Sequence, residues 1–417
     1  MTIRILHGDV IERLRGLPDS SVHCVVTSPP YWGLRSYLPD THAEKSKEIG
    51  CEPTLAAHLD VMVNEVFAEV RRVLRPDGTC WVNYGDCYAT SPNGRRADEV
   101  KRLGTDDRTF RDKPFSTIQG VMKPKDLCMV PNRFAIAMQD AGWWVRSEII
   151  WHKPNPMPES ITDRPATAHE KVFLFSKSER YFYDAVAVRT DAAPTSKARW
   201  QQDIDNQVGS QRANGGDRAD RPMKAVRGLT PRHEGHINHT RLDATDRGSA
   251  NLKNVWSIAT KPFKEAHFAT FPPDLARPCI LAGTSEKGCC PNCGAQWRRI
   301  TEKSFHPHAD VSADAALRTK EQLDESSRWS GSQRGSVSHA TVGWEPSCPC
   351  PRQSPVPAII LDPFGGAGTT GLVCAELQRD AVLIELNEQS IAIARRRIEP
   401  MLRQGSLLTG FNSLEVA

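Results

Sequence analysis

Apolar positions along this chain follow two periods, and their order outlines an α/β protein. Short apolar runs at Ile3 to Leu6, Val22 to Val26, Thr79 to Tyr84, Ala358 to Leu361 and Ala381 to Ile384 read as buried strands. Another strand ends at Trp151 to Asn155. Helical spacing marks Leu59 to Leu74, a buried face at Phe134 to Met138, Gly371 to Leu377, and Glu388 to Ile398 with Asn387 as its cap. Arg75-Pro76-Asp77-Gly78 is a turn signal between the first helix and the strand that follows it. Asp86, just beyond that strand, reads as a loop cap, and Trp143 and Trp144 as core or rim residues.

Polar tracts interrupt this pattern. Pro92 to Lys125 carries nine basic against five acidic residues, Arg189 to Ala250 is rich in Arg, Gln, Asn, Asp and Gly, and Ile300 to Val342 shows little apolar periodicity. The 417 residues would suit two or three average domains or one α/β domain with insertions. A formal charge of +4 permits nucleic-acid binding without demanding it. The chain opens directly on a strand, and no apolar run approaches the ~20 residues that span a bilayer, so the expectation is a cytoplasmic protein with no membrane partner.

Twelve cysteines divide into two sorts. Cys24, Cys80 and Cys374 sit in apolar runs, as buried thiols do. Cys290-Pro291-Asn292-Cys293-Gly294 and Cys348-Pro349-Cys350 form two knuckle-like pairs separated by 54 residues, a set suited to one structural zinc held by Cys290, Cys293, Cys348 and Cys350. His306 and His308 carry no assigned role.

Two distant motifs carry the chemistry. Thr27-Ser28-Pro29-Pro30-Tyr31 follows a strand; its prolines fix the backbone, Ser28 and the Pro29 carbonyl are acceptors for the protons of an aromatic amino group, and Tyr31 offers a stacking face. Leu361-Asp362-Pro363-Phe364-Gly365-Gly366-Ala367-Gly368-Thr369-Thr370 is a strand, glycine turn and helix start, with Glu385 ending another strand 23 residues after Asp362. The turn lacks both the full dinucleotide fingerprint and a Gly-Lys-Ser/Thr, and its acid argues against a phosphate, which leaves a cationic nucleoside such as S-adenosylmethionine.

Together these motifs resemble the amino-methylating DNA methyltransferases, in the permuted class where the catalytic motif precedes the cofactor motif. Ile149 to Pro156, His169 to Phe173, Asn254-Val255-Trp256 and His267 to Pro272 extend the resemblance over most of residues 1–188 and 251–400. It implies a circularly permuted Rossmann-like sheet. Residues 1–188 would be its catalytic half, 189–250 a target-recognition insertion, 251–288 a return to the catalytic domain, 289–351 a zinc-knuckle insertion, 352–400 the cofactor half and 401–417 a tail. By the same resemblance, Ser28, Pro29, Pro30 and Tyr31 are catalytic, and Asp9, Asp362, Phe364, Gly365, Gly366, Gly368, Thr369 and Glu385 hold S-adenosylmethionine.

The implied reaction flips a base out of double-stranded DNA and methylates its amino nitrogen without a covalent enzyme intermediate. Cys350-Pro351-Arg352-Gln353 resembles the nucleophile run of ring-carbon enzymes only superficially. Serine at the first clamp position resembles the cytosine-N4 enzymes, with adenine N6 the alternative. An RNA amino-methyltransferase and a non-enzymatic zinc protein remain as competing readings. A homodimer is compatible with the sequence, and no partner nuclease is deducible from it.

Overall fold

A computed structural model describes residues 1–38, 41–90, 115–191, 249–260, 271–307, 335–409 and 412–417. Most of the Pro92–Lys125 and Arg189–Ala250 tracts, His267 to Thr270 of the family match, and His308 lie outside the described residues. Two compact units divide the chain: residues 1–187, 253–298 and 344–417 form one, and residues 188–252 and 299–343 the other. The four knuckle cysteines therefore belong with the first unit, separately from most of the Ile300 to Val342 tract.

The first unit is built on a mixed sheet. Its strands are β1 (Thr2–His7), β2 (Val22–Thr27), β3 (Leu74–Tyr84), β4 (Trp144–His152), β5 (His169–Ser176), β8 (Val255–Ser257), β11 (Ile359–Asp362), β12 (Asp380–Glu385) and β13 (Ser413–Val416). The second unit contributes β6 (Thr190–Asp191) paired with β7 (Ser249–Ala250), and most of the ribbon of β9 (Arg298–Pro307) and β10 (Gly335–Glu345). The large sheet has the order β13-β1-β12-β11-β2-β3-β5-β4-β8.

Its centre is parallel: β1 pairs with β12, β12 with β11, β11 with β2 and β2 with β3 in the same direction, whereas β5 runs antiparallel to both β3 and β4. Strands from late in the chain thus fill the gap between β1 and β2. Because β5 is reversed, its first residues reach the same edge of the sheet as the carboxyl ends of β1, β2, β3, β4, β11 and β12. Ligands of open α/β sheets bind beyond that edge.

Helices cover the sheet. They are α1 (Val10–Arg15), α2 (Leu55–Asp60), α3 (Phe67–Val73), α4 (Val130–Asp140), α5 (Pro273–Gly283), α6 (Thr369–Glu376) and α7 (Glu388–Thr409). The helix expected from Leu59 forms with a π-helical turn, Val61–Val66, between α2 and α3. Val22 pairs with Leu74 but Cys24 with Thr79, so Arg75-Pro76-Asp77-Gly78 is absorbed as a bulge within β3.

Phe134 of α4 packs its ring 5.1 Å from both Phe67 and Tyr84 and 5.9 Å from Phe175, joining helix and strand faces into one core. Burial of one such ring contributes about 1.5–3 kcal/mol. Asp86 accepts from the Val130 and Cys87 amides, fixing the start of α4 as a cap. Trp143 is buried and Trp144 exposed, one on either face of the chain entering β4. Among the described residues, no helix is long and apolar enough to cross a membrane.

Candidate active site

The glycine turn after β11 is held by two acids. Asp362 is buried; its Oδ1 accepts from the Thr27 hydroxyl at 2.7 Å and the Phe364 amide at 3.1 Å, and its Oδ2 from the Thr370 hydroxyl at 2.6 Å. Burial pushes its carboxyl up to about 6 against the opposing pull of these donors. The carboxylate thereby ties the clamp strand to the turn, rather than standing free before it. Glu385 accepts the Gly366 amide at 2.7 Å through Oε2 and the Asn387 amide at 2.8 Å through Oε1, and burial raises it to about 7. Each of its oxygens keeps acceptor capacity for a ligand hydroxyl.

Gly368 opens α6 with φ +76°, and a Cβ there would stand 2.7 Å from that of Ala394, so the turn is closely packed on α7. Thr369 is buried, its hydroxyl accepting from Arg397, which also donates to the Ala367 carbonyl. Gly365 donates to the Ile384 carbonyl, and Phe364 is partly buried against the core. Asp9 caps α1 by accepting the Glu12 amide at 2.9 Å. His7 of β1 is in register with Glu385, which brings Asp9 to the same edge. Asn387 caps α7 as expected.

At the end of β2 the Ser28 hydroxyl lies 3.2 Å from the Tyr31 hydroxyl, which donates at 3.0 Å to Oε2 of Glu170. Asn83 of β3 donates through Nδ2 to the same Glu170 oxygen at 2.9 Å and to the Tyr31 hydroxyl at 3.0 Å, with Ser28 Oγ at 3.4 Å. Lys153 completes the set with an ion pair to Glu170 Oε1 and an ammonium 4.5 Å from the centre of the Trp151 ring.

The Tyr31 ring stacks on Tyr84 at 5.5 Å, and a Cβ on Gly85 would stand 2.3 Å from its Cε2. Only glycine fits beneath this ring. One ring face is therefore already occupied by protein, and burial together with the Glu170 charge raises the Tyr31 hydroxyl well above its ordinary value. Pro29 is buried and Pro30 half-buried beside it.

Comparison with known proteins places the chain in a family. Residues 22–290 and 353–396 match the N6/N4 methyltransferase family model, described as DNA methylase. The chain is 34% identical over 395 residues to the Type II methyltransferase M.XycI of Xanthomonas campestris pv. cyanopsidis, covering 95% of this chain and 87% of the relative. It is 33% identical over the same length to the Type II methyltransferase M.Cfr9I of Citrobacter freundii, with the same coverage of each. The chain belongs to the N6/N4 family of DNA methylases. Among solved structures, the PvuII DNA methyltransferase (cytosine-N4-specific) aligns with a TM-score of 0.48 at 16% identity, over 99% of this chain and 96% of that one.

In this DNA methylase, sequence reasoning assigned no role to Asn83, Glu170 or Lys153. They are far apart in the chain and meet only through strand pairing, Asn83 opposite Val172 and Trp151 opposite Glu170. For Lys153 and Glu170 the signal was their place in the matched stretches Ile149 to Pro156 and His169 to Phe173, and for Asn83 position alone, near a strand end on the motif-bearing edge.

The cysteine set also converges. The sulfurs of Cys290, Cys293, Cys348 and Cys350 lie within 4.8 Å of one another. Four thiolates around one zinc, each at about 2.3 Å, would lie about 3.8 Å apart, so little movement separates this cluster from a tetrahedral site. The Cys293 and Asn292 amides bring the Cys290 thiol down to about 7, while sharing protons with its neighbours raises Cys350 to about 12. Cys289 is instead buried, with backbone bridges to Gln296 and Val356. Arg75 donates to the Cys293 carbonyl at 2.8 Å, and His23 lies 2.9 Å from that of Gly294 while accepting the Ile359 amide. That amide bond makes Nδ1 the acceptor, leaving Nε2 to donate. The knuckle is thus fastened to β2, β3 and β11.

Proposed function

We propose that this DNA methylase transfers a methyl group from S-adenosylmethionine to the exocyclic amino nitrogen of a base flipped out of double-stranded DNA, cytosine N4 in preference to adenine N6. The observation that carries this reading is the serine clamp: the Ser28 hydroxyl sits at the end of β2, hydrogen-bonded to Tyr31 and joined through Thr27 and Asp362 to the glycine turn. Clamp and turn are thereby adjacent, as direct transfer between two bound partners requires.

The donor set fits a cationic nucleoside. Glu385 and Asp9 are acids at the rim of β12 and β1, the Gly366 amide faces a carboxylate, and Arg397, reaching the turn from α7, is engaged with Ala367 and Thr369. Glu385 would hold the ribose hydroxyls and Asp9 approach the adenine, with Phe364 and the glycines lining the turn. When bound, S-adenosylmethionine supplies an electrophilic methyl group. Ser28 and the Pro29 carbonyl would accept hydrogen bonds from the target amino group, while Tyr31, braced from behind by Tyr84, would present its other face to the base.

We read the placement of β11 and β12 between β1 and β2 as a circular permutation of the methyltransferase sheet. We also assign one structural zinc to Cys290, Cys293, Cys348 and Cys350, and target recognition to the Arg189–Ala250 tract. Nucleoside mass spectrometry of DNA methylated in vitro tests the base: N4-methylcytosine is expected, and N6-methyladenine alone would overturn cytosine while keeping amino methylation. Elemental analysis of protein purified without added metal should find one zinc per chain, and a folded, active, metal-free protein would remove that assignment.

A further inference from the structure

We infer that Glu170 is the terminus of a proton path from the target amino group, running through the Ser28 and Tyr31 hydroxyls. This rests on the amino-methylation reading above. A serine hydroxyl is both donor and acceptor, so it accepts well from a substrate only when its own proton is directed elsewhere. Tyr31 provides that direction. Its hydroxyl donates to Glu170 at 3.0 Å, leaving its oxygen lone pairs for Ser28 at 3.2 Å and Asn83 at 3.0 Å.

The Asn83 amide is oriented by the same carboxylate. With Nδ2 turned to Glu170, Tyr31 and Ser28, its Oδ1 is buried without a partner, and the reversed amide would set an oxygen against Glu170. The network therefore has one polarity: each hydroxyl proton points towards Glu170, and the Ser28 lone pair is left for the base.

The step balances along this line. As the amino nitrogen's lone pair forms the N–C bond, the methyl carbon's bond to the donor sulfur breaks with its electron pair on sulfur. The amino proton moves to Ser28 Oγ, the Ser28 proton to Tyr31 and the Tyr31 proton to Glu170 Oε2. The nitrogen ends neutral and Glu170 ends as a carboxylic acid, which returns its proton to solvent after turnover. A serine clamp thereby gains a distant carboxylate as its base.

The groups facing Glu170 are Lys153, in ion pair with its other oxygen, and the Tyr31 phenol. Neighbouring Lys171 is turned to Glu148 and Asn132, and His152 to Ser257. Glu170 acts through Tyr31 and Ser28, so it is a positioning residue whose signature is a pH profile. In Glu170→Gln, which preserves an acceptor for Tyr31, the single-turnover methylation rate should fall about 100-fold or more, with cofactor affinity unchanged. Measured at saturating cofactor, so that protonation of Glu385 and Asp362 does not limit binding, the low-pH decline of the wild-type rate should vanish in this variant. Tyr31→Phe cuts the same path without removing the ring and serves if the first variant misfolds; its rate should fall similarly, and the double variant should be no slower than either single one.

A wild-type rate in both single variants, a retained low-pH decline in Glu170→Gln, or multiplicative losses in the double variant would overturn the path. If the wild-type protein itself transfers no methyl group to DNA while binding cofactor, the underlying functional reading fails instead.

Discussion

The two halves of the sheet's ligand edge handle carboxylates in opposite ways. On the glycine-turn half, Asp362 and Glu385 accept only neutral donors, hydroxyls and backbone amides, and burial raises them to about 6 and about 7. On the clamp half, Glu170 is matched to a cation, Lys153, and to two neutral donors. An acid raised by burial without a cation gains from a positively charged ligand, which supplies the missing partner. An acid already paired instead gives a fixed direction to the hydrogen bonds around it. The first half is thus suited to recognising charge, and the second to orienting protons.

Removing Asp362 should have the largest effect. Asp362→Ala strands the Thr27 hydroxyl and the Phe364 amide, each costing about 1–3 kcal/mol when buried without a partner, and leaves the Thr370 hydroxyl only the Val26 carbonyl at 3.3 Å. A stability loss of about 2 kcal/mol or more in urea unfolding is expected, together with loss of cofactor binding. Glu170→Ala should cost less, about 1 kcal/mol, because Lys153 and Glu170 are roughly a fifth exposed and water can reach the lysine left behind. Equal losses at the two acids would break the comparison.

Glu385→Ala comes next. It removes an ionic acceptor from the turn and should weaken S-adenosylmethionine binding by about 1.5–3 kcal/mol in calorimetry. Ser28→Ala should instead slow methyl transfer and leave cofactor affinity intact. If Glu385→Ala binds cofactor like wild type, the division of labour between the halves fails.

What could be read in advance was whatever lies contiguously in the chain. Ser28 to Tyr31, the Leu361 to Thr370 turn and the cysteine pairs each carry their spacing with them, and the strands around them were visible as apolar runs. The direction of side chains was not. Asp362 and Thr369 read as cofactor-site residues from their motif, which does not say that the Asp362 oxygens turn to Thr27 and Thr370 and the Thr369 hydroxyl to Arg397. Helix α5 escaped because Pro273 and Pro278 punctuate it, though proline is favourable in a first turn and burial of Leu275, Cys279 and Ile280 outweighs the interior one. Asn83, Glu170 and Lys153 required knowing that β5 runs antiparallel between β3 and β4.

The smallest expected effect is the pH dependence of the turn. Glu385 rises from an ordinary 4.5 to about 7 in the folded protein. An acid raised by folding contributes stability that is fully present below its unfolded value and is lost as pH rises through its folded one. From pH 4.5 to about 7, therefore, Glu385 should progressively withdraw stability, and Asp362, raised from 3.8 to about 6, should do so at slightly lower pH. Glu385→Gln cannot ionise, so its unfolding free energy relative to wild type should rise between pH 5 and pH 8, by an amount on the order of 1 kcal/mol or less after solvent screening, read as a relative rise in melting temperature. A cationic ligand reverses the trend by favouring the carboxylate, so binding S-adenosylmethionine near pH 7 should release protons from wild type and fewer from Glu385→Gln. Calorimetry in buffers of differing ionisation enthalpy reads that release directly. Equal proton release from the two proteins would mean that Glu385 does not sense the ligand's charge.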